Sequence, residues 1–436
     1  MRPIYRLICP LHALLSFDPE SNASHWGAAL YFPTCVICSH LKLLIEAISL
    51  TGGNTMDFAI PADLSEEIAK FEAFIKTDIL PDLPAWSQKR ELPRTLFRNM
   101  GAHGWYGLKF DNGRLHRRSA LKESLVSETL ARVSPGVAIA ALAHTDLGLM
   151  GLFLFGSKAV QQKYGAPAVE GKTVMCLGNT ENIAGSDVAG IAMTAEKVEG
   201  GWKLNGTKAY VTNGLIADWG VITAVSDPGA EKKDRLSMYV VDLNAAGIRR
   251  KKLNKQVWVP SDLTRLSLND VFVADDHLLG TRGRGLHQVL EIFTNSRVPI
   301  AALTLGTAVG AFDLAVKHMQ KRKIFGENIL NFQAKTFEVS DFYAKLESAR
   351  LMLYKACWLV DRGKDFRQVS SMAKYLSVEV AREVTLWAAD IFGAASVIRE
   401  HPIHKYPMDV WGSSLGEGTQ DVQKLIIFRE LMKRYR

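Results

Sequence analysis

The spacing of apolar residues divides the chain into a helical part, a β part and a second helical part. From about residue 65 to residue 168, apolar side chains recur every three or four positions, which is typical of helices with a buried face. Between about residues 171 and 280 the period becomes two, which predicts β-strands. After residue 285 the helical period returns. The lengths of its apolar segments favour an antiparallel bundle, with helices at 286–317, 333–362 and 366–392.

The β part contains the strongest turn signal of the chain. Asn205-Gly206 lies between two short alternating runs, and this dipeptide predicts a β-hairpin. Further strands are expected at 221–225, 237–243 and 265–273. The layout therefore predicts an α+β multidomain fold with an N-terminal helical domain at 56–170, a middle antiparallel β domain at 171–281 and a C-terminal four-helix-bundle domain at 282–436.

Residues 1–55 differ from the rest of the chain. They contain scattered Pro, His, Cys and Trp without a sustained helical or strand period. We expect a poorly ordered extension outside the main fold, and Met56 is an alternative start of the chain. Cys35 and Cys38 form a C-x-x-C pair, but no second ligand pair follows at zinc-site spacing, so no metal site is predicted.

The overall composition narrows the class of protein only slightly. With 47% hydrophobic and 22% charged residues, the chain resembles an ordinary globular protein. It lacks an uninterrupted apolar run of about 18 residues, so no membrane span is expected. A net charge of +8 suits a phosphorylated cofactor, nucleic acid or a solvated surface, and does not decide between them. Five cysteines give no disulfide framework, which favours a reduced, cytoplasmic setting.

Four segments carry candidate chemistry. Residues 179–190 combine small residues with hydroxyls that could approach a planar ring, and Tyr210 and Thr212 place an aromatic face and a hydroxyl on one side of a strand. Arg322 offers a forked donor suited to a diphosphate. Glu417 lies between glycines ahead of the last helix, where loss of solvent would raise its proton affinity. Taken singly, each segment also suits a turn, a strand pair or a solvated charge.

In this order and spacing, the four segments resemble the acyl-CoA dehydrogenase family, over residues 56–436. The resemblance is strongest in Thr180-Glu181 with Gly185-Ser186-Asp187, in the Arg-x-x-Phe-Gly and Phe-Gln pattern of residues 322–333, and in Glu417-Gly-Thr followed by Gln423-Lys-Leu-Ile-Ile.

The resemblance implies an FAD-dependent enzyme that oxidises an acyl-CoA, with Glu417 as the base and an electron-transferring flavoprotein or similar protein as acceptor. Arg322 and residues 390–394 would contact the FAD of a neighbouring subunit, in a homodimer or homotetramer. The implied substrate-binding residues are Ser186, Thr294, Asn295, Arg297 and Gly418. The implied cofactor-binding residues are Leu177, Asn179, Thr180, Gly185, Ser186, Tyr210, Val211, Thr212, Arg322, Phe325, Phe332, Gln333, Asp390, Phe392, Gly393, Ala394, Thr419 and Asp421.

Several positions depart from the family pattern. Ser296 occupies the alternative base position that some members use, and it cannot serve as a base. Gly416 replaces a bulky aromatic residue, which could widen the acyl pocket, and Val137-Ala138 replaces an acid-binding arginine, which disfavours a dicarboxyl substrate. A carrier-protein thioester is therefore an alternative substrate. Two other functions stay open: a flavin oxidase or monooxygenase on the same fold, and a DNA-associated relative without dehydrogenase activity.

Overall fold

The N-terminal part of the described chain is helical. The computed structural model describes residues 59–435, so the predicted extension and the Cys35–Cys38 pair lie outside the described residues. A short hairpin of β1 (Leu108–Asp111) and β2 (Arg114–Arg117) interrupts the helices. The helices are α1 (Ala62–Phe74), α2 (Leu83–Lys89), α3 (Arg94–Ala102), α4 (Ala120–Val133), α5 (Pro135–Leu142), α6 (Met150–Phe155), α7 (Lys158–Val160) and α8 (Ala166–Val169).

The apolar run after Ser134 forms one nearly continuous helical segment. The Ser134 hydroxyl accepts a hydrogen bond from the Val137 N–H, and Pro135 occupies the first position of α5. A π-helical stretch, Ala143–Leu149, connects α5 to α6. By length and composition, Pro135–Phe155 could cross a membrane, but 78% of its apolar window is buried inside the protein, as in a core helix.

The middle part is an eight-stranded sheet in the order β10-β7-β6-β4-β5-β9-β8, with β3 beside β6. Most neighbouring pairs are antiparallel, as predicted. The exceptions are parallel: β3 along β6, and a single pairing of β4 with β6. The strands are β3 (Met175–Gly178), β4 (Thr194–Val198), β5 (Gly201–Thr212), β6 (Trp219–Val225), β7 (Leu236–Asp242), β8 (Ile248–Lys252), β9 (Leu263–Ala274) and β10 (Leu278–Leu279).

The predicted hairpin at Asn205-Gly206 is wrong. Both residues lie inside β5, and the tight turn comes earlier, between β4 and β5. At this point β5 shifts its register against β9, so the dipeptide marks a β-bulge. Gly206 has a φ of 144°, and an added Cβ would lie 2.9 Å from the Cα of Met193. Glycine is therefore required for the backbone and for close packing, not for a turn.

The C-terminal part is again helical, and its three long helices confirm the predicted ones within a few residues. The elements are α9 (Gly285–Lys321), β11 (Lys323–Ile324), β12 (Glu327–Asn328), α10 (Gln333–Asp361), α11 (Arg367–Phe392), α12 (Lys405–Ser413) and α13 (Gln420–Met432). α9 also passes the length and composition test for a membrane span, but 89% of its window is buried.

α9 lies between two hydrophobic cores. Ile292, Ile300 and Leu303 pack into the core that joins the N-terminal helices to the sheet. Val298 and Leu305, on the opposite side of the same helix, pack into the core of the C-terminal bundle. The predicted substrate residues 294–297 therefore lie where all three parts of the fold meet.

Candidate functional site

Glu417 lies in the short connection between α12 and α13, residues 416–419, which we call the Glu417 turn. Its backbone is left-handed, with a φ of 49°, and its side chain is only 9% exposed. Within the described residues, its Oε2 atom has no hydrogen-bond partner. Burial raises the pKa of the carboxyl, while Lys374 and Arg297 act in the opposite direction. The arrangement gives a carboxylate with raised proton affinity and one oxygen free to accept a proton.

Side chains from two helices hold the Glu417 turn in place. Gln423 Nε2 donates to the carbonyl oxygens of Glu417 (3.1 Å) and Gly418 (2.9 Å). The Lys374 ammonium, from α11, donates to the carbonyls on either side of Glu417, at Gly416 and Gly418. Gly418 has a φ of 92°, and an added Cβ would lie 2.8 Å from Gln423 Nε2, so only glycine fits.

The two other residues predicted in this segment begin α13. The Thr419 hydroxyl accepts a hydrogen bond from the Val422 N–H at 3.4 Å and caps the helix. Asp421 lies exposed in the first turn of α13, with a carboxylate oxygen 3.6 Å from Lys424 Nζ. Within the described residues, the Thr419 side chain stabilises the start of α13 and that of Asp421 faces solvent.

The predicted substrate residues on α9 come close to this turn. Arg297 is buried, its Nη1 lies 3.3 Å from Thr294 Oγ1, and its Nε has no partner among the described residues. Burial lowers the pKa of Arg297 to about 10, and Glu417 acts against that shift by attraction. Asn295 is also buried, and its Oδ1 accepts from Arg117 Nη1 at 3.0 Å. The structure thus brings Glu417 and Gly418 together with Arg297 and its neighbours.

The predicted ring-binding residues form a second group, on β5. Opposite β9, the register shifts between Lys208 and Val211, so β5 bulges at residues 209–210. Tyr210 has a φ of 57° and its side chain is 58% exposed, while Thr212 is half-buried on the same side. Val211 points into the core, so only its backbone could meet a ligand.

Residues 179–190, the larger part of the loop between β3 and β4, lie beside this bulge. The Ala209 N–H donates to the Thr180 carbonyl at 2.8 Å. Asn179 is buried, and its Oδ1 accepts from Thr223 Oγ1 at 2.9 Å. Gly185 and Ser186 are exposed, and an added Cβ on Gly185 would meet nothing within 4 Å. Leu177 is half-buried at the end of β3, just before the loop.

A buried ion pair anchors the loop. Lys208 Nζ, fully buried, lies 2.8 Å from Glu181 Oε1 and donates to the Asn179 carbonyl at 3.0 Å. Glu181 also accepts from the N–H groups of Ala192 (2.9 Å) and Met193 (3.0 Å). Burial lowers the pKa of Lys208 to about 8. For Glu181, burial acts to raise the pKa, but Lys208 and the two N–H groups outweigh it, and the pKa is lowered.

An exposed aromatic face, a neighbouring hydroxyl and an open glycine loop fit a planar cofactor. Tyr210 and Thr212 can offer the ring contact, and Thr180 with residues 185–186 can approach the ring closely because their surroundings are open. The buried pair ties the loop to β5, and the Ala209–Thr180 hydrogen bond places Thr180 beside the bulge that carries Tyr210. The residues of this surface therefore fit a flavin.

A third group of predicted residues lies at the end of the bundle. Arg322 ends α9 and is exposed, and Phe325, in the turn between β11 and β12, is 96% exposed. Phe332 and Gln333 begin α10. The segment 390–394 at the end of α11 lies nearby: Phe392 contacts the ring of His318 with centroids 4.4 Å apart, one helical turn before Arg322. Of its other members, Asp390, Gly393 and Ala394 are exposed, and Ile391 is half-buried.

The third group is distant from the Glu417 turn of the same chain. Arg322 is at the C-terminal end of α9, whereas Arg297 lies about one third of the way along it from the N-terminal end. At about 1.5 Å per residue, the helix between them is up to roughly 37 Å long. The flavin contacts predicted at Arg322 are therefore separated from the candidate base by most of the bundle.

Sequence reasoning missed two residues near Glu417, and it gave Gln423 no role beyond its place in the family pattern. Lys374 and Gln423 hold the turn, and the indole of Trp258 packs beside it. A Cβ on Gly416 would lie 3.9 Å from Trp258 Cη2. The space that Gly416 was expected to open in the acyl pocket is therefore bounded on that side by the tryptophan ring. A signal for Lys374 existed: it lies four residues after Ser370 and three before Ser377, on the buried face of α11.

Family models of the acyl-CoA dehydrogenases match the chain in three consecutive segments. The N-terminal domain model matches residues 63–172, the middle domain model residues 176–271 and the C-terminal domain model residues 283–432. Together these segments include all of the residues that form the candidate site.

The similarity to individual relatives extends over nearly the whole length of each relative. The chain is 30% identical over 381 residues to the benzylmalonyl-CoA dehydrogenase of Aromatoleum aromaticum, covering 86% of this chain and 100% of that protein. It is 29% identical over 377 residues to the caffeyl-CoA reductase–Etf complex subunit CarC of Acetobacterium woodii, covering 85% and 97%.

Solved structures are similar over the same region. The butyryl-CoA dehydrogenase from Megasphaera elsdenii matches with a TM-score of 0.82 and 28% identity, covering 86% of this chain and 100% of that chain. A structure of PigA with FAD and proline matches with a TM-score of 0.82 and 28% identity, covering 87% and 100%.

Proposed function

Because the chain belongs to the acyl-CoA dehydrogenase family, we propose that it dehydrogenates an acyl-CoA thioester to the 2-enoyl thioester, with Glu417 as the base. The membership confirms the resemblance carried by residues 179–190, 322–333 and 417–423. The observation that carries the role of Glu417 is its buried carboxylate with a partner-free oxygen.

The reaction needs a base and a stabilised carbonyl oxygen. The α C–H of a thioester is a weak acid, so negative charge must be stabilised while the proton leaves. Glu417 Oε2 accepts the α proton, and its raised pKa favours that transfer. Two cations, Arg297 and Lys374, act electrostatically on Glu417 and oppose the rise in its pKa that burial causes.

FAD, when bound, supplies the acceptor for the β hydrogen, which leaves as hydride and for which no side chain could substitute. Tyr210 and Thr212 would hold the ring from β5, with Thr180 and Ser186 from the neighbouring loop. The buried pair of Lys208 and Glu181 keeps that loop in place. The flavin is the cofactor that the family implies, and FAD is the form that we propose.

We further propose a homodimer or homotetramer. Arg322 lies up to roughly 37 Å along α9 from Arg297, and Phe325 is almost fully exposed beside it. A diphosphate contact from this end therefore suits the flavin of a neighbouring subunit better than that of the same chain.

The electron acceptor and the setting are also proposals. An electron-transferring flavoprotein is the proposed acceptor, since one relative is a subunit of a reductase–Etf complex. A reduced, cytoplasmic setting is supported by Cys176 and Cys357, which are both free thiols.

Anaerobic titration with a panel of acyl-CoAs tests the proposed reaction. A good substrate is expected to bleach the flavin absorbance of the purified protein, with the 2-enoyl thioester as product. The same acyl groups on a carrier protein form a second series, which tests that alternative substrate. Rapid reoxidation in air with peroxide release would instead indicate an oxidase. If dithionite bleaches the flavin and no thioester does, the proposal is wrong.

A further inference from the structure

Lys374 is a buried cation that the proposed reaction does not itself require. It lies on α11, and its side chain is 0% exposed. Its ammonium donates to the carbonyl oxygens of Gly416 and Gly418, the two residues that flank Glu417. Burying an ammonium is costly unless it is hydrogen-bonded and faces negative charge. The hydrogen bonds and the negative charge that offset this cost are both at the Glu417 turn, which indicates that Lys374 acts on that turn.

Two charged groups act on Lys374, and both belong to the candidate site. Glu417 attracts it, while Arg297, on α9, repels it. The polar neighbours on its own helix, Ser370, Ser371 and Ser377, are neutral hydroxyls; Ser370 donates to the Arg367 carbonyl, and the oxygen atoms of the other two have no partner among the described residues. Two cations thus face one buried carboxylate, and the side chain of Lys374 is aimed at the backbone on both sides of it.

We propose that Lys374 is a positioning residue for Glu417: it fixes the backbone of the turn through two carbonyls and keeps the carboxylate ionised through its charge. The inference rests on the proposed function, because it assigns Lys374 a task only if Glu417 is the base. Lys374 acts on the base and not on the substrate.

The geometric half of the proposal follows from the backbone of Glu417. A left-handed φ of 49° is unfavourable for a residue with a Cβ and persists only where the surroundings impose it. One ammonium binds the carbonyls of the residues before and after Glu417, which fixes the peptide that precedes Glu417 and the one that follows Gly418, while Gln423 binds the Glu417 carbonyl itself. Without Lys374, Gln423 alone would hold the C-terminal side of the turn.

The charge of Lys374 shifts the pKa of Glu417 in a defined direction. Burial raises the pKa of Glu417, and of the two cations that oppose this rise Lys374 has the larger effect. Removing the ammonium therefore raises the pKa further, and a smaller fraction of Glu417 is ionised at neutral pH. The rate of flavin reduction falls at low pH, where the base becomes protonated, and we call this part of the pH–rate profile the acid limb. The acid limb must then move to higher pH.

Lys374→Met tests the proposal, because methionine has a similar shape but no charge and no donor. We expect FAD to stay bound and KM for acyl-CoA to change little, since Lys374 does not act on the substrate. Flavin reduction should slow at least about 10²-fold, because a misplaced base loses most of its contribution. Its acid limb should rise by about one pH unit.

Lys374→Gln separates the two halves. Glutamine keeps a donor for one carbonyl but lacks the charge, so part of the rate should return while the acid limb stays displaced. Lys405→Met is the matched control: Lys405 is a half-buried lysine, and its Nζ donates to the Val133 carbonyl at 2.6 Å, away from the Glu417 turn. Its variant should keep the wild-type acid limb.

A Glu417→Gln background tests whether Lys374 acts through the base. In that background, Lys374→Met should slow the residual reduction no further. An equal slowing in both backgrounds would overturn the proposal, as would a wild-type rate and acid limb in Lys374→Met. If both Lys374 variants lose flavin while Lys405→Met keeps it, Lys374 serves the fold and the proposal is also overturned. Failure of the proposed function itself is seen separately, in wild-type protein that no acyl-CoA reduces.

Discussion

The buried pair of Lys208 and Glu181 gives a prediction whose size follows from the structure. Lys208→Met removes an ammonium that is fully buried 2.8 Å from Glu181 Oε1. Glu181, only 7% exposed, keeps two backbone N–H donors but loses its counter-ion. Because breaking one side of a buried pair leaves an uncompensated charge, we expect a loss of about 3–5 kcal/mol in the free energy of unfolding.

A double-mutant cycle adds Glu181→Gln and the double variant, which removes both charges of the pair. Lys208→Met combined with Glu181→Gln leaves no uncompensated ion, so the double variant should be more stable than the sum of the single losses predicts. The matched control is the exposed pair of Lys345 and Glu383, with side chains about half exposed. Lys345→Met should cost about 0–1 kcal/mol.

Denaturant unfolding of the flavin-free protein measures these losses, and gel filtration measures retained FAD. Lys208→Met should also retain less FAD, because the pair fixes the loop that carries Thr180 against β5. A loss no larger than that of Lys345→Met would refute the reasoning. A destabilised protein that binds FAD as tightly as wild type would refute its second part, that the pair supports the flavin surface.

Three further predictions concern other parts of the chain. Burial lowers the pKa of His144 to about 4, and its Nδ1 accepts a hydrogen bond from the Met175 N–H, so the folded state favours the neutral ring. The free energy of unfolding should therefore fall by about 3 kcal/mol in total as the pH drops from about 6.5 to 4. His144→Gln should flatten this decline when unfolding is measured against pH. Arg322→Ala should weaken FAD retention while Glu417 stays in place, and a fully flavinated monomer in light scattering would contradict the shared site. Deleting residues 1–55 should leave flavin content and thermal midpoint nearly unchanged, and a large loss of either would show that the segment supports the fold.

The long helices could be predicted because their apolar period is sustained over many turns. α9, α10 and α11 begin and end within a few residues of the predicted positions. Glu417 can be singled out only through the resemblance of four segments in order, because a glutamate between glycines, taken singly, also suits a solvated turn. The helices need only local spacing, whereas the candidate base needs the pattern of the whole chain.

The features that escaped prediction depend on distant parts of the chain. Asn205-Gly206 suits a hairpin turn, but β5 is paired along both edges here, and the same dipeptide forms a bulge. Lys374 would ordinarily face solvent, and its carbonyl partners lie 42 and 44 residues away. The Lys208 partner lies 27 residues away. Spacing along α11 can place Lys374 on the buried face of the helix, but the partners of both lysines follow from tertiary packing, which no local pattern encodes.

The most direct test of the central claim is flavin reduction in Glu417→Gln. Glutamine keeps the shape of the side chain but removes the basic oxygen, so FAD should remain bound and acyl-CoA should still perturb the flavin spectrum. With the partner-free Oε2 gone, reduction by a good substrate in anaerobic rapid mixing should slow by about 10²–10⁴-fold or more. Glu400→Gln, an exposed glutamate of the same helical part, should reduce its flavin at the wild-type rate. Rapid bleaching in Glu417→Gln would contradict the assignment of the base, and with it the proposed mechanism.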